Sequence, residues 1–199
     1  MAGLEDLVDA IHRCTACELY QDATQAVAGR GSSRARLMLV GEQPGDREDI
    51  EGEPFVGPAG SLLERALDDA GIGLEQVYLT NVVKHFRFTR RGKRRIHQSP
   101  AVRHVEACSP WLSTELETVH PDGVVLLGGT AGKALYGPSF RVGDARGEVG
   151  EWPQSRLPLR EPPWVLATTH PSAVLRERED RAGAYDALVA DLRTAAAAL

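Results

Sequence analysis

The sequence predicts an α/β protein, a three-layer α/β/α sandwich around a central four-stranded parallel sheet. Three observations predict it. Four short runs are apolar almost without interruption, as strands covered on both faces must be. Segments of helical periodicity alternate with them, the pattern of right-handed crossovers in one sheet. The residues that close each run are Gly, Asn, Thr and His, which carry chemistry better than they fill a core.

The first run is RLMLVG (36–41), followed by SLLERALDDAG (61–71), a helix that closes on a glycine at the expected C-terminal cap. The second strand is VYLTNVV (77–83). A long helix, PAVRHVEACSPWLSTELETV (100–119), is expected to open behind Ser99 as N-cap with Pro100 in its first position. GVVLLGG (123–129) is the third strand and TAGKALYG (130–137) a short helix. Residues 137–163, rich in Pro and Gly, read as a long surface connection with a short hairpin. WVLATTH (164–170) is the fourth strand, and RAGAYDALVADLRTAAAAL (181–199) the last helix. With no internal repeat and no long linker, residues 1–199 read as a single domain.

No apolar run approaches the ~18 residues of a membrane span. The opening MAGLEDLVDAIHRC has acids where a secretory signal has bases and an apolar stretch. A cytoplasmic protein with no membrane partner is the expectation. In that reducing setting Cys14-x-x-Cys17 and Cys108 point to a metal or redox role rather than disulfides. The chain is formally −5, yet Lys84 to His97 holds seven Lys and Arg and no acid, with Phe86 and Phe88 interleaved. Such a stripe on an acidic body fits a polyanionic partner, although a charge run is more often a solvated face.

The segments GEQPGD, NVVKHF, GGT and THPS each follow a strand. In open parallel sheets ligands bind at the carboxyl ends of the strands, so these segments should converge on one cleft. GEQPGDREDIEGEPFVGPAG (41–60) is a glycine-bearing loop running into a helix, and it matches neither the P-loop nor G-x-G-x-x-G.

That segment, with Phe55, Asn81 and the HPS of 170–172, resembles the uracil-DNA glycosylases. The resemblance is nearest to their iron–sulfur family-four branch, with its G-E-A-P-G…P-F-V-G-x-A-G motif, and runs from Cys14 to Arg176. It implies a flipped-out base stacked on Phe55 and read by Asn81, with Gly41 and Gln43 bordering the uracil pocket. Gln43 stands where family four has Ala. His170 would serve the departing base, and Glu42 would face the cationic sugar or steer a nucleophile. The chemistry agrees: a carboxamide offers donor and acceptor together, as uracil's pairing edge requires. Taken singly, Asn81 and His170 are better read as caps and loop contacts, a reading that their common position at strand ends overturns; for Phe55, core packing is a rival reading.

The same resemblance implies an iron–sulfur cluster, of the 4Fe-4S type. Cys14, Cys17 and Cys108 match three of its four cysteines. The fourth falls in a V-K-C segment where this chain has VKH, so His85 is the implied replacement. A Cys3His set also suits zinc, and His104, four residues before Cys108 on one helix face, is a rival ligand.

Family-four enzymes lack the segment KRRIH (93–97). GEQPGD, VKH and KRRIH together resemble the glycosylase-like class written UdgX, which implies that His97 attacks the anomeric carbon once uracil has left. The protein would then stay covalently attached to the abasic sugar. Lys93, Arg94, Arg95, Ser172 and Arg176 are the implied DNA contacts, and Leu175 or Arg176 would fill the gap left by the flipped base. The implied partner is uracil-containing DNA, single strands accepted, and the implied state a monomer. Two alternatives stand beside this: a turning-over glycosylase in which Glu42 activates water, and a non-catalytic, cluster-containing DNA-binding or redox-sensing module.

Overall fold

The four apolar runs become strands because both of their faces are covered. In the computed structural model, which describes residues 3–153 and 156–199, the first three are buried along their whole length and the fourth at all but its first residue. Helix α1 (Leu4–His12) leads to an edge strand β1 (Arg30–Gly31) and to β2 (Leu37–Gly41). Helices α2 (Asp46–Glu51) and α3 (Pro58–Asp69) precede β3 (Val77–Asn81). A hairpin of β4 (Phe88–Arg91) and β5 (Arg94–His97) precedes the long α4 (Val102–Val119). The second half runs β6 (Gly123–Leu127), α5 (Gly129–Tyr136), α6 (Val142–Ala145), β7 (Val149–Gly150), β8 (Trp164–Thr168), α7 (Pro171–Arg176) and α8 (Arg181–Ala197).

The sheet order is β1-β3-β2-β6-β8-β7. Its four inner strands are parallel, as the sequence predicts, and β1 and β7 add short antiparallel edges. At two residues each, those edges are too short to show a periodicity. Alternation is present but hidden, because each face meets a helix layer. Leu37, Leu39, Val77 and Leu79 pack with Leu63 and Leu67 of α3 and Leu188 and Leu192 of α8. Met38, Val40, Val124 and Leu126 pack with Leu112 and Leu116 of α4 and Leu135 of α5.

Helix α3 ends as its glycine predicts. Gly71 has φ +77°, Gly71 N–H donates to Asp68 O at 2.9 Å, and Ile72 N–H to Leu67 O at 2.9 Å, the paired bonds of a Schellman turn. The start of α4 differs from expectation. Ala101, not Ser99, is the N-cap, Pro100 precedes the helix, and His104 Nδ1 accepts the Ala101 N–H at 3.0 Å. The connection 137–163 contains α6 and β7, and β7 hairpins back onto β8; residues 154 and 155 lie outside the described residues. The basic stripe is a hairpin, with Arg91 opposite Arg94 and a turn at Gly92, where φ is +61°. Among the described residues no helix is long and apolar enough to cross a membrane.

Candidate active site

The carboxyl ends of the inner strands border a cavity of about 830 Å³. Gly41 and Asn81 are register partners where β2 and β3 end. A Cβ on Gly41 would stand 2.4 Å from Asn81 Oδ1 and 2.8 Å from Phe55 Cζ, so only glycine lets amide and ring converge there. Phe55 has φ +60°, a conformation costly for an aromatic residue. It is held there by α3, whose Gly60 lies so close that a Cβ would overlap the Phe55 carbonyl. Phe55 and Asn81 are 5 % and 4 % exposed. The cavity floor is thus an aromatic face and a carboxamide, both fixed.

His170 caps α7. Its Nδ1 accepts the Ser172 backbone N–H at 3.1 Å, so the neutral ring carries its proton on Nε2. Burial, seconded by Arg176 and His97, pushes its pKa from the usual imidazole range down to about 4. The ring stacks on Phe55 with centroids 6.4 Å apart at 27°. Ser172 Oγ lies 2.9 Å from Nδ1 and accepts from Arg176 Nη1 at 3.1 Å, which ties both predicted DNA contacts to the histidine. A neutral His170 has a pH signature. As pH falls, the unfolded chain takes up this proton near ~6.5, before the folded one does. Stability that His170 contributes is therefore complete above that value and lost as pH falls toward about 4. Nitrogen-15 spectra are expected to show an unprotonated Nδ1 at pH 6, and acid melting of His170→Gln should lose part of that slope.

His97 ends β5 and lines the same cavity, with its side chain half exposed. Its Nε2 lies 3.4 Å from Glu42 Oε1 and 3.0 Å from Gln43 Nε2. Gln43 clamps the hairpin base: its Oε1 accepts from Arg87 N–H at 3.3 Å, and its Nε2 faces Arg87 O and Gln98 O, each at 3.1 Å. That is why a Gln, not the family-four Ala, suits this chain. Thr130, at the start of α5, donates its hydroxyl to Glu42 Oε2 and leaves the other oxygen toward His97. Sequence reasoning missed Thr130; the only available signal was GGT at a strand end.

The basic stripe is not all surface. Lys93 and Arg94 are exposed at the hairpin tip, but Lys84 is fully buried. Arg95, expected on DNA, is committed within the protein: Nε meets Asp46 Oδ1 at 2.6 Å and Nη1 meets buried Asp49 Oδ2 at 2.5 Å. Its guanidinium also lies over the Phe86 and Phe88 rings, 5.4 and 5.1 Å from their centroids. Those aromatics thus pack the hairpin. Arg95→Met would strand the Asp49 charge, and thermal or urea unfolding is expected to show a loss of about 3 kcal/mol.

Cys108 is buried, and burial raises its thiol to about 11 against the backbone N–H of Lys84, with Cys17 and Cys14 close enough to push it further. Trp111 Nε1 donates to Cys14 Sγ at 3.1 Å. The three cysteines of the sequence therefore gather at one place. His85 is 3 % exposed, beside Asp49, and its Nδ1 is buried without a hydrogen-bond partner, an open donor site that a ligand bond would satisfy. His104 has both ring nitrogens engaged: Nδ1 caps α4, and Nε2 lies 2.9 Å from Glu18 Oε1, whose carboxyl it holds down at about 2 together with Arg103. Among the described residues no three His, Cys, Asp or Glu are placed to hold a single ion. Tetrahedral zinc needs sulfurs roughly 4 Å apart. The orphaned His85 nitrogen is the one observation here that calls for a ligand bond.

Comparison with known proteins agrees with this frame. The model of the Uracil DNA glycosylase superfamily matches residues 28–193. The chain is 34% identical over 180 residues to the type-4 uracil-DNA glycosylase of Saccharolobus solfataricus, covering 88% of this chain and 78% of that one. It is 35% identical over 178 residues to that of Thermotoga maritima, covering 89% and 85%. With the Pyrobaculum aerophilum protein of the same name it shares 37% over 175 residues, covering 87% and 85%. Matched along nearly its whole length, and folded as that resemblance implied, the chain belongs to the uracil-DNA glycosylase superfamily.

Proposed function

We propose that this chain, acting as a single-domain monomer, excises uracil from DNA once and is then held covalently on the abasic sugar through His97, as in the UdgX class. The observation that carries the proposal is that His97, its Nε2 3.4 Å from Glu42, lines the same cavity as Phe55, Asn81 and His170. Relatives named type-4 uracil-DNA glycosylases support the excision step; GEQPGD, VKH and KRRIH support the class.

The steps follow from the side chains. Uracil stacks on Phe55, and the Asn81 amide pairs with its O4 and N3–H. The C1′–N1 bond breaks and its electron pair leaves with N1. His170 Nε2–H donates to the negative charge growing on O2, and because the ring is neutral it does so without a buried cation. Glu42, braced by Thr130, faces the oxocarbenium-like sugar. The Nε2 lone pair of His97 then forms the new bond to C1′. The resulting imidazolium loses its Nδ1 proton to solvent, and the uracil anion gains one. An N-alkylated imidazole has no easy leaving path, so one event consumes the protein. Lys93, Arg94, Ser172 and Arg176 contact phosphates, single strands included, while Arg95 holds the hairpin.

Cys14, Cys17, Cys108 and His85 would hold an iron–sulfur cluster of the 4Fe-4S type, which would cross-link the segments carrying them. The test of the whole reading is a denaturing gel. Protein mixed with uracil-containing single-stranded DNA should give one retarded band at one equivalent, and DNA with thymine in place of uracil should give none. Steady release of many equivalents of uracil would favour the second reading, a turning-over enzyme in which Glu42 activates water.

A further inference from the structure

Lys84 and Glu115 form an ion pair with neither side chain exposed, Nζ to Oε2 at 2.7 Å, and no step above uses it. Buried ion pairs are weak devices for stability, so what this one touches is the informative point. Lys84 Nζ has three protons and three acceptors: Glu115 Oε2 at 2.7 Å, Thr80 Oγ1 at 2.7 Å and the Asn81 carbonyl at 2.8 Å. Glu115 is equally committed, accepting from Gly29 N–H at 3.1 Å, Tyr78 O–H at 3.4 Å and Thr80. The backbone of the same lysine is occupied too. Its carbonyl accepts from Val27 N–H at 2.7 Å. On the other side, Val82 and Val83 N–H donate to Gly41 O and Glu42 O at 3.0 Å each. Residues 81–84 are thus pinned between the pocket loop and Glu115 of helix α4.

We propose that Lys84 is a positioning residue: its ammonium, balanced by Glu115 of α4, fixes the Asn81 carbonyl, so that the base-reading amide at the end of β3 is tied to that helix. The proposal rests on Asn81 as base reader. Without the ammonium, the end of β3 loses the donor that sets the direction from which Asn81 meets the base, and small misplacements at a reacting centre are costly.

The test uses the cluster-loaded full chain. K84M/E115Q is charge-neutral and keeps an acceptor for Gly29. K84Q/E115Q restores one donor toward Asn81. Circular dichroism and iron per protein report folding and loading, amide exchange at Val82 and Val83 reports the segment, and single-turnover excision at saturating DNA reports the reaction. K84M/E115Q is expected to exchange these two amides at least about tenfold faster and to excise uracil about tenfold or more slowly, with DNA affinity unchanged. K84Q/E115Q is expected to recover part of both. Wild-type exchange, or a wild-type rate per loaded molecule, in K84M/E115Q overturns the proposal, as does the absence of any recovery in K84Q/E115Q. If K84M/E115Q does not fold, K84Q/E115Q decides alone, with exchange and rate equal to wild type overturning the idea and intermediate values supporting it. Asn81→Ala separates the two levels: full excision in that variant would refute the base-reading assignment itself, not the strut.

Discussion

His97→Ala is expected to abolish the denaturant-resistant protein–DNA adduct completely while leaving uracil release measurable. Phe55, Asn81 and His170, the proposed base-binding residues, do not depend on the His97 ring for support: Asn81 is held by its place in β3 and by Lys84 Nζ, Phe55 by α3, His170 by Ser172. Single-turnover release is therefore expected to stay within about tenfold of wild type. What changes is the second half of the reaction. Removing a half-exposed ring opens a space beside Glu42 Oε1 into which water enters, and a carboxylate already aimed there by Thr130 can orient that water at C1′. The variant should release more than one equivalent of uracil. The gel band should vanish, and the uracil count should rise.

The second large effect is expected for Gly41→Ala. One methyl group there would meet Asn81 Oδ1 at 2.4 Å and Phe55 Cζ at 2.8 Å. Neither neighbour can yield freely, since Asn81 is buried at the end of a paired strand and Phe55 already sits at φ +60° against α3. Gly41 itself does not use a left-handed backbone, so alanine suits the strand and the damage is steric and local. Overpacking of this kind costs about 1–3 kcal/mol of stability, which a melting curve would register as a modest shift. Excision is expected to fall by about a hundredfold or more, because displacement of both the stacking ring and the reading amide acts on the reacting geometry. Retained melting with lost excision is the signature sought.

The sheet was legible because burial on both faces leaves a plain mark, an unbroken apolar run such as LMLV, and the strand ends named the cleft. The edge strands left no such mark. Residue types in the cleft were readable, but their constraints were not: nothing in PFVG announces a positive φ at Phe55, and nothing in GGT announces Thr130 on Glu42. Charge was the least reliable guide. Lys84 and Arg95 count toward the basic stripe, yet each is satisfied by carboxylates distant in sequence, Glu115 in one case and Asp46 and Asp49 in the other. Likewise, the spacing of His104 and Cys108 on one helix face suggested a ligand pair, whereas Glu18 and the cap of α4 had already claimed both nitrogens.

Intact mass spectrometry of the wild-type protein after reaction with a short uracil-containing oligonucleotide bears most directly on self-trapping. The expected product has the mass of protein plus oligonucleotide less that of one uracil, and its digest should carry the sugar on the peptide containing His97. Unmodified protein beside accumulating free uracil, or attachment to any other residue, would contradict it.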